Sequence, residues 1–387
     1  GAGFLVQRER EAVEMTRREM LGSAAGAGLV LSASGARAGA RPQLAKPLVL
    51  GHRGACALAP EHSFASYARA IADGADFIEP DLVSTRDGVL VVRHENVMAE
   101  DTDVADHPEF AARKTTKVID GDTMTGWFTE DFTLAELKTL RAREPLPALR
   151  PESVKLNDRF HIVTFDEMVE FVAAEAALRG RPIGVIPELK HSTYFKSIGL
   201  PLEERFVAAL RGNAYLRTAP VIVQSFEIAN IKWLRKQLAD MPNVQLMQLT
   251  ENDVPPADRV AAGDKRPWAE LLTPAGLAEI ATYAEFIAPY RLDLIPVGKD
   301  GRLGQPTGLI AAAHKAGLLV GTWTFRPENK YIPTDFRNSN DEAARNVAGT
   351  VADIRRHLDA GLDAFFTDDA ATGRAAVDGW RAPAVAR

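Results

Sequence analysis

Eight short apolar or β-branched runs alternate along this chain with stretches of helical periodicity. That alternation leaves few architectures open. The runs are Pro47–His52, Phe77–Val83, Ile183–Glu188, Val221–Phe226, Val244–Leu249, Phe286–Tyr290, Leu318–Phe325 and Ala364–Asp368. Helical patterns fall between them, at Phe165–Leu178, Leu202–Leu210, Ala275–Ala284 and Val351–Asp359. A strand that returns parallel to its neighbour needs a crossover, and a helix supplies it. Eight such units predict an α/β fold, a (β/α)8 TIM barrel. At 387 residues the chain is long for one domain, but barrels of this kind run long. The stretch Asn96–Arg159 is too long for a plain βα loop. It is predicted to be an insertion after the second strand, lying over the barrel mouth, with one helix at Leu134–Leu140.

Charged residues make up 25% of the chain and apolar ones 46%, an ordinary mix for a soluble domain. The formal net charge is −6. No basic run points to nucleic acid, and no polybasic helix points to a membrane surface. The first 40 residues have the pattern of an export signal. Thr16-Arg17-Arg18-Glu19-Met20-Leu21 resembles a twin-arginine motif, and a weakly apolar stretch, Leu21–Ala33, follows it. Ala36-Arg37-Ala38 or Ala38-Gly39-Ala40 would suit a signal peptidase, and Met15 could be the initiator. The apolar stretch is too short for a permanent anchor. The expectation is a periplasmic or secreted barrel over residues 41–387, with no stable membrane anchor. Cys56 is the only cysteine, so no internal disulfide can form. It is read as a small half-buried residue rather than a nucleophile.

The chemistry gathers in four segments: Gly51-His52-Arg53-Gly54, Glu79-Pro80-Asp81, Val92-Arg93-His94 and Pro187-Glu188-Leu189-Lys190. Strand side chains alternate faces with period two, so Glu79 and Asp81 share a face, as do Glu188 and Lys190. A hairpin brings in His94: one strand over Phe77–Thr85, a tight turn at Asp87-Gly88, and a return over Val89–His94. Three carboxylates on one face repel each other unless a cation neutralises them. All-oxygen ligation by Glu79, Asp81 and Glu188 selects Ca2+ or Mg2+ over zinc. His52 and His94 are a candidate acid/base pair, because imidazole titrates near neutrality. Arg53 has the planar fork that suits a phosphate. Lys190 offers a point charge for the same group, or an ion pair for Glu188. The barrel supplies an independent check, because sites of this fold lie at the C-terminal strand ends, where these residues fall.

The run HRGACALAPEHSFASYARAIADGADFIEPDLVSTRDGVLVVRHEN, followed by PELK, resembles the glycerophosphodiester phosphodiesterase family. The resemblance covers roughly residues 47–380 and is nearest to the bacterial periplasmic type, including the stretch DTDVADHPEFAARK. Glu95 stands where the family usually has Asp, and Ser63 where it has Thr. The resemblance implies hydrolysis of small glycerophosphodiesters such as glycerophosphocholine and glycerophosphoethanolamine. It also implies an internal route in which the glycerol 2-hydroxyl attacks phosphorus and water opens the cyclic phosphate. Ca2+ is the favoured cation, with Mg2+ the alternative. Glu61 either orients Arg53 or serves as a helix N-terminal charge, and His62 supports the site. Gln224, Phe226, Tyr290 and Trp323 end strands. Phe226 and Trp323 are candidates for binding the glycerol moiety, although barrel packing would also explain them. His107, His161, His191, His314 and His357 are read as structural or surface residues. The alternatives are a phospholipase-like enzyme cleaving inositol or sphingolipid phosphodiesters on the same fold, and a catalytically idle binding protein.

Overall fold

The structure is a computed structural model that describes residues 44–382. The export signal expected over residues 1–40 lies outside the described residues. In chain order the strands are β1 (Leu48–Gly51), β2 (Phe77–Ile78), β3 (Asp81–Ser84), β4 (Leu90–Val92), β5 (Thr115–Ile119), β6 (Asp122–Gly126) and β7 (Gly184–Val185). They continue as β8 (Glu188–Leu189), β9 (Val221–Ser225), β10 (Val244–Thr250), β11 (Phe286–Pro289), β12 (Leu319–Val320) and β13 (Ala364–Thr367). The main sheet runs β12-β11-β10-β9-β7-β2-β1-β13, every neighbour parallel. Its two ends meet. Asp363 N donates to Val320 O at 2.9 Å, Phe366 N to Thr322 O at 2.9 Å, and Phe325 N to Phe366 O at 2.9 Å. These bonds close the sheet into the barrel that the eight runs predict.

Two of the runs are not continuous strands, as the sequence had suggested. Phe77–Thr85 breaks at Glu79-Pro80 into β2 and β3, and Ile183–Glu188 breaks at Ile186-Pro187 into β7 and β8. Proline has no N–H to give to a ladder, so each break falls beside one. Beyond the breaks, β3 pairs parallel with β8, placing Asp81 opposite Glu188, and antiparallel with β4. The hairpin that carries His94 is therefore present. Its return strand ends at Val92, and His94 lies just past it.

Period-two alternation sorts the strand residues. Leu48, Leu50, Phe77, Ile186, Ile222, Met247, Leu249, Phe286, Ala288, Leu319, Ala364 and Phe366 form the inner cluster. Their neighbours Val49, Val223, Leu246, Ile287, Val320 and Phe365 face out into the helix layer. Each such burial contributes about 1.5–3 kcal/mol. At Gly184 a Cβ would sit 2.2 Å from the Phe77 ring, so glycine there leaves room for Phe77 to fill the barrel.

The helices follow their caps. Phe165–Arg179 starts with a Thr164/Glu167 capping box and stops at left-handed Gly180. Pro274–Ile280 is shorter than the predicted Ala275–Ala284, and Val347–Asp359 starts earlier than predicted because Asn346 caps it through Gly349 N. In the insertion, the predicted helix Leu134–Leu140 is a single capped turn, Leu134–Leu137. The insertion also holds the β5–β6 hairpin and a turn at Pro151–Val154, neither of them expected from the sequence. Among the described residues no helix is long and apolar enough to cross a membrane.

Candidate active site

Along the inner face, the apolar positions give way to polar ones at the C-terminal end. Glu79 follows Phe77, Glu188 follows Ile186, and Gln224 follows Ile222, two residues on in each case. Strand register places Asp81 opposite Glu188 and Glu188 opposite Gln224. The three predicted ligands are thereby brought together, with oxygens of Glu79, Asp81 and Glu188 all within 4.8 Å of one another and buried.

The surroundings hold these carboxylates but do not satisfy them. Glu79 accepts from Arg53 N at 3.0 Å and from Gln224 Nε2 at 2.7 Å. Asp81 Oδ2 lies 3.0 Å from His62 Nε2, while Asp81 Oδ1 is buried with no partner. Glu188 Oε1 is 3.1 Å from Lys190 Nζ. Burial, Asp81 and Glu188 push Glu79 well above the usual carboxyl range. Burial, opposed by Lys190 but helped by Asp81, lifts Glu188 to about 7. Burial also works against the charge on Asp81, but the His62 hydrogen bond and the Lys190 and Arg53 charges outweigh it and hold Asp81 ionised. An orphaned oxygen, mutual repulsion and an all-oxygen donor set suit a divalent hard cation.

His52 and Arg53 sit in the tight loop after β1. Arg53 has φ +52°, and Gly54 has φ +91° with Ser66 so close that a Cβ would sit 2.5 Å from its hydroxyl. Ser63 caps the following helix, Phe64–Ala72, by accepting from Ser66 N, so serine serves here in threonine's place. Arg53 Nη1 donates to Glu61 at 2.7 Å, which supports the orienting role of Glu61. His52 Nδ1 is 2.5 Å from Asp368 Oδ1, and its Nε2 is 3.9 Å from Glu79 Oε2. Burial and the Arg53 charge lower its pKa to about 4, so the ring is neutral. The Cys56 Sγ lies 3.9 Å from His52 Nδ1, but burial and Asp368 push its thiol up, which leaves it protonated. His94 is half-buried, with Nδ1 3.3 Å from Glu95 Oε1. Partial burial, Arg53 and Lys190 keep it neutral.

A cavity of about 460 Å3 joins the two histidines and Arg53 to residues of the insertion. Among the members of its wall that were not anticipated are Asp368, Arg150, Arg326 and Tyr331. Asp368 ends the eighth run, so the strand-end rule could have found it. Buried Arg150 comes from the insertion and donates to Asp368, to Glu328 Oε1 at 2.7 Å and to Cys56 O at 2.9 Å. Phe226 and Trp323 lie outside this wall. They meet edge to face at 5.4 Å, Trp323 rests on Tyr290 at 4.9 Å, and both pack on the inner cluster.

His191 bridges Glu95 at 2.8 Å and Asp120, at the turn of the β5–β6 hairpin, at 2.6 Å. Burial opposes its charge, but the two carboxylates lift its pKa to about 9. His107, His314 and His357 make local polar contacts with Asp103, Asp363 and Asp353, and His161 accepts from Arg141.

The sequence pattern described as the glycerophosphoryl diester phosphodiesterase family matches residues 52–372. A glycerophosphodiester phosphodiesterase of Arabidopsis thaliana is 35% identical over 76% of this chain and 78% of its own. One from Haemophilus influenzae is 26% identical over 82% and 89%. Among solved structures, a candidate glycerophosphoryl diester phosphodiesterase from Silicibacter pomeroyi superposes with a TM-score of 0.59 at 22% identity, covering 87% of this chain and 94% of that one. An Oleispira antarctica phosphodiesterase in complex with the product sn-glycerol-3-phosphate gives a TM-score of 0.55 at 17% identity, covering 86% and 96%. At these identities the two structures speak for the fold alone.

Proposed function

The chain belongs to the glycerophosphoryl diester phosphodiesterase family, and from that premise we propose that it hydrolyses small, deacylated glycerophosphodiesters to glycerol 3-phosphate and an alcohol in a metal-dependent reaction. Its activity is that of a glycerophosphodiester phosphodiesterase, and glycerophosphocholine and glycerophosphoethanolamine are the expected substrates. The observation that carries the reading is the buried trio Glu79, Asp81 and Glu188, gathered within 4.8 Å beside His52.

Those three residues would hold Ca2+, or Mg2+ as the alternative, and the bound ion would polarise the phosphate oxygens and lower the charge that repels an attacking oxygen. Arg53 and Lys190 would bind the phosphate, and Phe226 and Trp323 would contact the glycerol moiety. A carboxylate accepts, so the short contact with Asp368 assigns the His52 proton to Nδ1 and leaves the Nε2 lone pair free. His52 is then the base that takes the proton of the glycerol 2-hydroxyl as that oxygen attacks phosphorus. The anionic phosphate would offset the Arg53 and Lys190 charges that depress His94, so that His94 takes up a proton from solvent as substrate binds and gives it to the departing alcohol. Water opens the cyclic phosphate with the roles reversed, restoring both histidines.

Glycerol 3-phosphate release should be followed from glycerophosphocholine and, in parallel, from intact phospholipid vesicles. The deacylated diester should be turned over much faster. Faster turnover of vesicles would favour a phospholipase-like enzyme. We also propose export to the periplasm or beyond on the strength of Arg17-Arg18. Replacing both with Lys should retain the protein in the cytoplasm.

A further inference from the structure

The cavity wall contains three arginines, and two of them donate from their terminal nitrogens to protein acceptors. Arg53 is bound to Glu61, and Arg150 to Glu328, Asp368 and the Cys56 carbonyl. Arg326 differs. It follows Phe325, the residue whose N–H helps to close the barrel, and so sits at the C-terminal mouth. Its Cζ lies 4.7 Å from the centre of the Tyr331 ring, a stacking that holds the guanidinium plane in place. Its buried Nε makes no hydrogen bond, and its terminal nitrogens make none among the described residues. The Nε is paired electrostatically with Asp368 Oδ2 at 3.4 Å, and both Asp368 oxygens also hold Arg150 and His52, which leaves the terminal nitrogens of Arg326 as its open donors.

Arg326 thus presents an oriented guanidinium to the cavity with its terminal nitrogens free of protein partners among the described residues and its side chain 31% exposed. It lies on the Asp368 side of His52, whereas the metal-binding trio lies on the Nε2 side. A phosphoryl group held at the trio is served by Arg53 and Lys190. What reaches Arg326 is a substituent extending past His52.

On the reading above, we infer that Arg326, steadied by Tyr331, is a specificity-determining residue that receives a carboxylate on the alcohol end of the diester. A guanidinium with free donors matches a carboxylate through paired hydrogen bonds and gains little from a quaternary ammonium.

Glycerophosphoserine and glycerophosphoethanolamine differ by that one carboxylate. Arg326→Gln should lower the ratio of their kcat/KM values, serine over ethanolamine, by about tenfold or more. Arg326→Lys should lower it less, and Tyr331→Leu should lower it by an intermediate amount. An unchanged ratio would overturn the inference, whether Arg326→Gln slows both diesters equally or slows neither. Wild-type turnover of glycerophosphoethanolamine checks the underlying function separately. If the parent enzyme hydrolysed it but the ratio did not respond to Arg326, the specificity claim alone would fail.

Discussion

His52 stands between two sets of buried carboxylates that the protein treats in opposite ways. On its Nδ1 side, Asp368 is held well below the usual carboxyl range: burial opposes the charge, but Arg150 and then His52 overcome it. On its Nε2 side, Glu79 and Glu188 are pushed up by burial and by Asp81. Asp368 has two firm partners, while Asp81 keeps an oxygen with none. Both groups are equally hidden from water, so burial does not explain the contrast. The guanidinium of Arg150 completes the first group from within the chain. The second could hold a metal ion, and in the proposed reading a cation from solution completes it.

His52 serves both sides, so its loss should have the largest effect. His52→Ala, or His94→Ala, should cut turnover by roughly 10²–10⁴-fold with the fold retained by circular dichroism. The double variant should lose much less than the product of the two, because the pair acts on one transition state. A nitrophenyl diester, whose leaving group needs no proton, should rescue His94→Ala but not His52→Ala.

Asp368→Asn should cost about ten- to hundredfold in kcat with little change in KM, since the partner that orients a working imidazole is weakened. Arg150→Met should destabilise the protein by about 3–5 kcal/mol in urea melts, because it strands a buried charge. Glu79→Gln should do the opposite and stabilise the metal-free protein by relieving repulsion. If both substitutions destabilised it equally, the contrast between the two sides would not hold.

The two sides should also separate by pH. Glu188 has an ordinary value of 4.5 that folding lifts to about 7, so the folded metal-free protein keeps a proton that the unfolded chain loses. Its stability should fall as pH rises across that window, and saturating Ca2+ should abolish the fall. Asp368 is depressed, so its contribution should be lost only as pH drops below its ordinary 3.8. The smallest effect belongs to His191. Its tie to Glu95 and Asp120 is complete below 6.5 and is lost as pH rises through about 9. The difference in melting temperature between the parent and His191→Gln, roughly a few degrees near neutrality, should vanish above that pH.

The same contrast governs what could be seen in the sequence. The trio was legible because Asp81 and Glu188 lie in strands and Glu79 directly follows one, where period two decides which side chains share a face. The breaks at Pro80 and Pro187 shifted strand ends but kept that parity. The other side is assembled from loops. His52 meets Asp368 across 316 positions, and Arg150 meets Asp368 across 218. No local period encodes such pairs; they exist only once the barrel closes and the insertion folds over it. The β5–β6 hairpin was missed although Asp120-Gly121 is a strong turn signal, because its strands are largely exposed and lack an apolar face.

The central claim is that the buried trio requires a divalent cation. Chelator-treated protein, freed of chelator by gel filtration, should be titrated with Ca2+ and with Mg2+ while glycerol 3-phosphate release and bound metal are read together. The account predicts negligible turnover without metal, recovery that tracks the filling of a single site, and no recovery in Asp81→Asn. Full turnover in excess chelator, with no metal found in the protein, would contradict it.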